Sequence, residues 1–406
     1  MKMIDGGVTA AKGYKATGVY AGIKKKRKDM ALVYSVVPAK IAGTFTTNVV
    51  KAAPVKWDMK LIAENETANA LVLNSGVANA CTGVEGDVKN EQMAKAVADS
   101  LNLPVNAVLT ASTGVIGKQL PIDVITEGAK LLAEELDDSM EAGLLAAEAI
   151  MTTDTYSKEC AVTFEMDGKT VTLGGMAKGS GMIHPNMATM LGVVTTDIAI
   201  SKELLQEAIR ADVKDSFNMI SVDRDTSTND SLIIFANGMA GNKEITEKNS
   251  DYELFCKALS MVTINLSKKM AADGEGATKL FETVIVGAQD KEQAVILSKS
   301  VITSSLVKTA VFGNDANWGR ILCAMGYSGV NFNPDMVDLY IESIDGKLKL
   351  VENGMATDYS EEIATKILSA KEVRAIADMK TGNGTATAWG CDFSYDYVKI
   401  NADYRS

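Results

Sequence analysis

The stretch AVTFEMDGKTVTL, residues 161–173, decides the fold class of this chain. Apolar residues alternate with polar ones on both sides of Asp167-Gly168: they are Val162, Phe164 and Met166 before the pair, and Val171 and Leu173 after it. Such alternation predicts strands, and an Asp-Gly pair between two of them predicts a tight hairpin turn. The stretch therefore predicts two antiparallel strands.

The segments around this hairpin mix helices and strands. Apolar residues at helical spacing predict helices at residues 88–101, 122–136, 140–151, 204–217 and 252–270. Ser201 is predicted to cap the fourth of these. Further strands are predicted at residues 231–238, on both sides of the turn Asp345-Gly346, and at Tyr397–Ala402. Hairpins mixed with helices, without strict alternation, predict an α+β layered fold rather than a doubly wound sheet.

Length and composition exclude several classes of function. The 406 residues predict two or three domains, and a formal net charge of −11 argues against a nucleic-acid binder. With five scattered cysteines and one histidine, we expect no metal and no cofactor. The first ten residues lack an apolar signal-peptide core, and no stretch reaches the roughly 18 apolar residues of a membrane helix. A cytoplasmic protein without a membrane partner is therefore expected.

The basic run Lys24–Lys28 has two interpretations. It has the composition of a targeting or nucleic-acid-binding patch, but it also lies between two apolar stretches, GVYAGI and ALVYSVV. A charged hairpin tip is the interpretation we favour in an acidic chain.

Three common ligand-binding motifs fail. GVIGKQL, residues 114–120, has Gln119 where a P-loop needs Ser or Thr, and KGSGMIH, residues 178–184, has His184 where a dinucleotide fingerprint needs its third glycine. DRDTSTND, residues 223–230, lacks the glycine and the distant glutamate of an EF-hand loop. We interpret this last stretch as a loop or helix-end cluster.

The chemistry is concentrated in GGMAKGSGMIHPNMATMLG, residues 174–192. One interpretation is a glycine-rich loop that enters a buried strand. The other is a self-cleaving junction, because glycines permit a strained backbone and the Thr189 hydroxyl can attack the carbonyl carbon of Ala188. Hydrolysis of the ester would leave a chain that begins with Thr189. Its α-amino group, with an ordinary pKa of about 7.7–8.0, could take the hydroxyl proton without any histidine.

Part of this segment, KGSGMIHPNMATML, resembles the cleavage-site signature of the ornithine acetyltransferase family, the glutamate N-acetyltransferases of the cyclic arginine pathway. Other blocks resemble that family in the expected order: GGVTAAKGYKATGVYAGIK, NSGVANACTG, ASTGVIG, IMTTDT, DGEGATK, FGNDANWGRI and INADYRS. One block alone would be weak, but together they extend the resemblance over essentially the whole chain.

The resemblance implies an activity. Members of the family cleave themselves between Ala and Thr, which here would give an α chain of residues 1–188 and a β chain of residues 189–406. Thr189 would then accept the acetyl group of N2-acetyl-L-ornithine and pass it to L-glutamate by a ping-pong mechanism. The sequence leaves open whether acetyl-CoA is also an acetyl donor.

The resemblance also implies site residues. Thr113 and Gly114 match the oxyanion hole, through a hydroxyl and a backbone N–H. The substrate contacts match Thr152, Lys178, Thr189, Glu275, Asn401 and Ser406. Thr153 stays open as an alternative to Thr152, and so does the question of which end of the substrate meets which charge. Without the resemblance, these residues would be interpreted as a strand-end turn, solvated charges and a loose chain end.

His184 is the one residue that could supply an imidazole base. It precedes Thr189 by five residues, but the family requires no histidine in this segment. We therefore expect His184 at the mouth of the site rather than in the reaction.

The fold and assembly implied by the resemblance are an α-β-β-α layered sandwich, with a smaller C-terminal lobe at about 285–406, and an α2β2 heterotetramer of cleaved chains. Two rival hypotheses remain. In an N-terminal-nucleophile aminopeptidase of similar architecture, water would replace glutamate as the acceptor. The other rival is an uncleaved binding protein.

Overall fold

A computed structural model describes residues 1–184 and 190–403 of the chain. These residues divide into two compact units. Unit 1 contains residues 1–179, 190–218 and 225–266, and unit 2 contains residues 180–184, 219–224 and 267–403.

The described residues form both β-strands and α-helices. The strands are β1 (Lys2–Ile4), β2 (Tyr14–Val19), β3 (Met30–Phe45), β4 (Thr67–Val77), β5 (Val108–Val115), β6 (Lys158–Met166), β7 (Lys169–Lys178), β8 (Leu191–Thr196), β9 (Ile220–Ser221), β10 (Ser231–Ala236), β11 (Leu280–Ala288), β12 (Asp338–Ser343), β13 (Gly346–Glu352), β14 (Met355–Ala356), β15 (Glu372–Asp378) and β16 (Gly384–Cys391). The helices are α1 (Ala53–Glu64), α2 (Gly83–Leu101), α3 (Ile122–Glu134), α4 (Met140–Ala149), α5 (Lys202–Asp212), α6 (Ser250–Ala272), α7 (Lys291–Ile302), α8 (Ser305–Phe312), α9 (Trp318–Gly326), α10 (Glu361–Leu368) and α11 (Tyr395–Ala402).

Unit 1 is built on a nine-stranded sheet with the order β1-β6-β7-β8-β10-β3-β4-β5, in which β2 also pairs with β3. The hairpin predicted from the sequence is confirmed, since β6 and β7 pair antiparallel with Met166 opposite Lys169. Asp167 and Gly168 both have positive φ, at 52° and 67°. Two left-handed residues make the turn whose twist matches that of the flanking strands.

The long strand β3 connects two halves of this sheet. One half contains β1, β6, β7, β8 and β10, and the other contains β2, β4 and β5. Its residues 30–35 pair with β2, whereas residues 40–45 pair with β10. The register of β3 with β4 shifts between Tyr34 and Ala39, where the partner changes. One strand therefore belongs to both halves.

Helices cover both outer faces of the sheet, and the two halves share an inner core. The inner cluster combines Leu71 and Leu109 of one half with Met176, Val193 and Phe235 of the other. On the outer face of the first half, α2 and α3 pack against the alternate residues of β4 and β5. On the other half, a Cβ on Gly175 would lie 3.0 Å from a methyl of Val262 in α6. This helix–sheet–sheet–helix arrangement confirms the expected α+β layered sandwich.

The five predicted helices are confirmed as α2 to α6, but α5 begins earlier than predicted, at Lys202, and ends earlier, at Asp212. Ser201 is the N-cap of α5, and its hydroxyl accepts the N–H of Leu204. The basic run Lys24–Lys28 forms the tip between the antiparallel strands β2 and β3, as favoured. There, the buried carboxylate of Asp29 accepts the N–H of Lys24 at 2.8 Å.

Unit 2 contains a seven-stranded sheet with the order β14-β13-β12-β15-β11-β16-β9. The predicted hairpin at Asp345 is confirmed by the antiparallel pair β12 and β13. Within the two described ranges, no single helix is long and apolar enough to cross a membrane; α7 and α8 pass that test only together, by length and composition, with a 59° bend between them.

The strand predicted at Tyr397–Ala402 is wrong, because these residues belong to the helix α11. Ser394 caps this helix by accepting the N–H of Asp396, and Lys399 pairs with Asp396 one turn apart. The Tyr397 ring packs on Phe393 with centroids 4.7 Å apart. The apparent alternation was compatible with either structure, and the cap and the ion pair favour the helix.

Candidate active site

The end of β5 holds the predicted oxyanion residues Thr113 and Gly114 in a bulged backbone. β5 pairs parallel with β4, and the register shifts between Gly76 and Val77, opposite these residues. Gly114 has a φ of +126°, and a Cβ there would lie 2.4 Å from the carbonyl carbon of Gly76. Only glycine fits this position, so the direction of the Gly114 N–H depends on its lack of a side chain.

Gly114→Ala is expected to damage both the fold and any reaction at this strand end. The methyl group would force β5 away from Gly76, and loss of one oxyanion donor costs about 10²–10³ in kcat. Gly117→Ala is the matched control, because Gly117 also has a positive φ, +82°, but open space where its Cβ would stand. For both variants, the free energy of unfolding and the rate of the acetyl transfer that the resemblance implies should be measured. Equal effects of the two variants would contradict the importance of the close contact between Gly114 and the backbone of Gly76.

Buried amides brace the same strand end. The Ser112 hydroxyl donates to Asn74 Oδ1 at 2.6 Å. The Nδ2 of Asn229 donates to the carbonyl oxygens of Ala78 at 2.6 Å and Ser112 at 2.8 Å. Asn229 belongs to the stretch 223–230, which is a loop, as predicted. Its bracing role gave no signal in the sequence, because its partners lie more than 100 residues away.

Lys178 contacts two other predicted site residues. It ends β7, is 8% exposed, and its Nζ donates to the hydroxyl of Thr152 at 2.9 Å. The same Nζ lies 3.4 Å from the hydroxyl of Thr113. Thr152, rather than Thr153, makes the contact with this lysine. Unit 1 thus brings together Thr113, Thr152 and Lys178, from β5, the segment after α4 and β7.

Asp154 is the acidic centre of this cluster, and the sequence did not single it out. Its carboxylate accepts the Lys158 ammonium at 2.8 Å and the Gly179 N–H at 2.7 Å, with Lys178 Nζ at 3.9 Å. Burial opposes the ionisation of Asp154, but the charges of Lys178 and Lys158 outweigh it and hold the pKa of this carboxyl well below its usual range. The cluster is therefore an ionised carboxylate between two lysines.

A further lysine approaches the same segment. The Nζ of Lys24, in the β2–β3 tip, donates to the carbonyl oxygen of Met151 at 3.0 Å. Its pKa is lowered to about 8, mainly by burial, with smaller contributions from the positive charges of Arg27 and Lys178. Burial therefore favours the neutral form of Lys24 more than it would at an exposed lysine.

Unit 2 contains a second group of predicted residues. Glu275 is 6% exposed, and its Oε2 accepts a hydrogen bond from Asn401 Nδ2 at 2.8 Å. Its N–H donates to the carbonyl oxygen of Ser180 at 2.9 Å, and a Cβ on Gly181 would lie 2.3 Å from its carboxyl group. Gly181 therefore lets the segment 180–184 lie directly against Glu275.

His184, also in unit 2, lies with Nδ1 3.1 Å from the Ser221 hydroxyl. Its pKa is lowered to about 4, first by burial and then by the positive charges of Lys299 and Arg224. A base this weak is poorly matched to proton transfer at neutral pH.

In His184→Gln, the acetyl transfer that the resemblance implies should keep almost its full rate, whereas removal of a general base lowers a rate by roughly 10²–10⁴-fold. Between pH 6.5 and about 4 the unfolded chain binds a proton that the folded chain does not, so His184 lowers stability as the pH falls through this window. The variant should therefore be less sensitive to acid. Rates at pH 7 and urea unfolding at pH 5 and 7 would measure both effects, and a loss of transfer beyond 10²-fold would contradict the assignment.

Ala188, Thr189 and Ser406 lie outside the described residues. Within residues 1–184 and 190–403, no group of three His, Cys, Asp or Glu side chains is placed to hold a metal ion.

Comparison with known proteins gives matches that cover nearly the whole chain. The model of the ArgJ family matches residues 15–406. The chain is 50% identical to the arginine biosynthesis bifunctional protein ArgJ of Caldanaerobacter subterraneus subsp. tengcongensis, over 100% of both chains. It is 52% identical to ArgJ 1 of Clostridium acetobutylicum, over 98% of this chain and 97% of the relative.

A solved structure is also similar. The crystal structure of ornithine acetyltransferase complexed with ornithine from Mycobacterium tuberculosis is 40% identical, covers 46% of this chain and 98% of that chain, and has a TM-score of 0.42. The family match over nearly the whole sequence, together with full-length relatives near 50% identity, is decisive. This chain belongs to the ArgJ family.

Proposed function

We propose that this chain transfers the acetyl group of N2-acetyl-L-ornithine to L-glutamate, giving L-ornithine and N-acetyl-L-glutamate for arginine biosynthesis. The observation that carries the proposal is the contact of Lys178 with Thr152 and Thr113 in unit 1. It supports the proposal because a buried cation, two hydroxyls and an adjacent N–H suit a substrate that carries a carboxylate and forms an oxyanion. The name of the full-length relatives supports the pathway.

The proposed nucleophile is Thr189, released by self-cleavage after Ala188. Its hydroxyl attacks the Ala188 carbonyl, the peptide C–N bond breaks, and water then hydrolyses the ester. The new α-amino group has an ordinary pKa of about 7.7–8.0, so a useful fraction is neutral at pH 7–8 and can accept the hydroxyl proton.

Oxyanion stabilisation is assigned to Thr113 and Gly114. The Thr113 hydroxyl lies 3.4 Å from Lys178 Nζ, which can only donate. The proton of that hydroxyl is therefore available to another acceptor, as an oxyanion donor requires. The positive φ of Gly114 directs the second donor.

The proposed substrate contacts, taken from the family resemblance, include both cationic and anionic side chains. Both amino acids carry an α-carboxylate, but ornithine ends in an ammonium and glutamate in a carboxylate. Lys178, with Thr152, offers a cation and a hydroxyl, while Glu275 and Asn401 offer an anion and an amide. Ser406 belongs to the proposed set through the family resemblance alone.

Partition of the acetyl group tests the transferase against the hydrolase. The purified protein is given N-acetylornithine with and without glutamate, and acetate and N-acetylglutamate are both measured. We expect N-acetylglutamate to form in step with ornithine release, and acetate to fall when glutamate is present. Acetate release that glutamate leaves unchanged would support the aminopeptidase-type hydrolase and refute the transferase.

The proposed assembly is an α2β2 heterotetramer of cleaved chains in the cytoplasm. Light scattering on the purified protein should give twice the mass of the 43.1 kDa chain, while denaturing electrophoresis should show two fragments. A native mass of one chain would refute the tetramer, and a single band would refute self-cleavage.

A further inference from the structure

A buried carboxyl group stands at the end of the loop before β10, and the proposed acetyl transfer does not use it. Asp230 is 3% exposed and directly precedes Ser231, the first residue of β10. Its carboxyl accepts the N–H of Met190. The carbonyl oxygen of Met190 accepts the N–H of Ser231 at 2.9 Å. Met190 is therefore held at both its N–H and its carbonyl group by two consecutive residues.

The residue before Asp230 braces the strand that carries the predicted oxyanion residues. The Nδ2 of Asn229 donates at 2.8 Å to the carbonyl oxygen of Ser112, which directly precedes Thr113. Met190 directly precedes β8. Asn229 and Asp230 together therefore tie the start of β8 to the end of β5 within unit 1.

One oxygen of the Asp230 carboxyl is left without a donor. In the part of the chain that the structure describes, the buried Oδ2 of Asp230 has no hydrogen-bond partner. The Thr46 hydroxyl lies beside the carboxyl, but it donates its proton to the carbonyl oxygen of Ser227 at 2.8 Å. A buried carboxylate oxygen without a donor is costly, so this oxygen suits a further N–H group.

The carboxyl also lacks a close cation. Lys178 is the charged side chain that acts on Asp230, but its Nζ donates to Thr152 at 2.9 Å and lies 3.9 Å from Asp154. Burial raises the pKa of Asp230 well above its usual range, although the Met190 N–H and the charge of Lys178 oppose the rise. A second cation beside this carboxyl would favour its ionised form.

The proposed self-cleavage would create such a cation close to the carboxyl. Met190 directly follows Thr189 in the chain, so bond lengths alone keep the backbone nitrogens of these two residues within about 4 Å of each other. Before cleavage the Thr189 nitrogen belongs to a neutral amide. After cleavage it is an amine with an ordinary pKa of about 7.7–8.0, and its protonated form is a cation with several N–H donors.

We propose that Asp230 positions the α-amino group of Thr189, through its second carboxylate oxygen, once self-cleavage has released that group. The inference rests on the proposed acetyl transfer through Thr189. As the Thr189 oxygen bonds to the acetyl carbon, the hydroxyl proton passes to the neutral amine, and the carboxylate stabilises the ammonium that forms. The acetyl C–N bond then breaks, and the proton leaves on the amine of ornithine. A carboxylate orients and stabilises the imidazole of a serine-protease triad in the same way.

The test compares Asp230→Asn with Asp58→Asn. Asp58, in α1, is a matched control because it is fully buried and accepts the N–H of Thr110 at 2.9 Å. Its Oδ2 also has no hydrogen-bond partner among the described residues. In both variants the asparagine keeps an oxygen for the backbone N–H but removes the carboxylate charge. Intact mass gives the cleaved fraction, and kcat and kcat/KM for N-acetylornithine are measured as a function of pH with glutamate as the acceptor.

We expect Asp230→Asn to be cleaved and to lower kcat at least about tenfold, because a hydrogen bond to a charged group is lost. Without the carboxylate, the pKa of the α-amino group should fall. The acid limb of kcat/KM should therefore move to lower pH by about one unit or more. A residue that only supports the fold would not move this limb. Asp58→Asn should keep the limb and the rate of the wild type.

The same substitution in the Thr189→Ala protein separates this role from support of the fold. Thr189→Ala lacks the hydroxyl needed for cleavage, so it has no α-amino group at this position. Asp230→Asn should therefore leave the melting temperature of Thr189→Ala unchanged, but should lower that of the cleaved protein. Both comparisons are made at one protein concentration, because the cleaved protein consists of two chains.

Four outcomes overturn the inference: an acid limb that Asp230→Asn does not move, equal changes of melting temperature in the two backgrounds, failure of Asp230→Asn to fold in both backgrounds, or a folded Asp230→Asn protein that is not cleaved. The wild type can still transfer acetyl to glutamate in each case, so the proposed function survives them. Conversely, a cleaved wild type that transfers no acetyl refutes the proposed function, while the melting temperatures still test the contact between Asp230 and the α-amino group.

Discussion

Asp154→Asn is expected to destabilise the fold and abolish acetyl transfer. The carboxylate is 3% exposed and holds the Lys158 ammonium, which is fully buried. Removing one partner of a buried ion pair costs about 3–5 kcal/mol, because the other charge is left without compensation. An asparagine would also turn an NH₂ group toward one of the N–H donors of Thr152 and Gly179. Urea unfolding and steady-state transfer rates measure the two losses.

A second variant separates stability from reaction. The double variant Asp154→Asn/Lys158→Met also removes the positive charge of Lys158, so part of the lost stability should return. Transfer should stay low, because Lys178 still lacks its anionic neighbour at 3.9 Å. Glu66→Gln is the matched control, since it breaks an exposed pair with Lys40 and should cost less than about 1 kcal/mol. If Asp154→Asn were as stable and active as this control, Asp154 would have no role in positioning Lys178.

Asp154 also makes the free energy of unfolding depend on pH in the acidic range. The pKa of Asp154 is lower in the folded chain than its unfolded value of about 3.9. Its stabilisation is therefore present above that unfolded value and is lost as the pH falls through the folded pKa. Below about pH 4, the unfolding free energy of the wild type should approach that of Asp154→Asn.

The sequence predicted those parts of the fold that local patterns specify. The β6–β7 hairpin follows from period-two alternation and an Asp-Gly turn, and the N-cap Ser201 from its place before an apolar helix. The terminal segment 395–402 shows the limit, because a short alternating run suits a strand or a helix. There, the cap Ser394 and the pair between Asp396 and Lys399 favour the helix, and both Ser394 and Asp396 precede the alternating run.

The candidate site was only partly predictable, for a different reason. Thr113 and Lys178 are 65 residues apart, and Glu275 and Asn401 are 126 apart, so no local pattern joins them. The family resemblance, rather than spacing, pointed to these pairs. Asp154 could not be predicted from its spacing to Lys158. An i, i+4 spacing predicts an ion pair only within a helix, and these two residues lie outside any helix.

Thr189→Ala should yield a single uncleaved chain of 43.1 kDa with no measurable acetyl transfer. Without the hydroxyl, no ester can form at Ala188, so the α-amino group that would serve as the base is never released. Loss of a nucleophile alone costs about 10⁶ in kcat in a well-studied hydrolase, and here the base is lost with it. Intact mass and the rate of N-acetylglutamate formation are the two measurements.

Thr189→Ser is the control that keeps the hydroxyl. It should still cleave, giving fragments of residues 1–188 and 189–406, and retain part of the transfer activity. When N-acetylornithine is supplied without glutamate, the β chain of the wild type and of Thr189→Ser should gain the mass of one acetyl group on residue 189. Since uncleaved Thr189→Ala offers neither a hydroxyl nor a free amine at that position, it should gain none. Acetylation of the Thr189→Ala protein would contradict the assignment of Thr189 as the nucleophile. Its cleavage would contradict the assigned role of the Thr189 hydroxyl in self-cleavage.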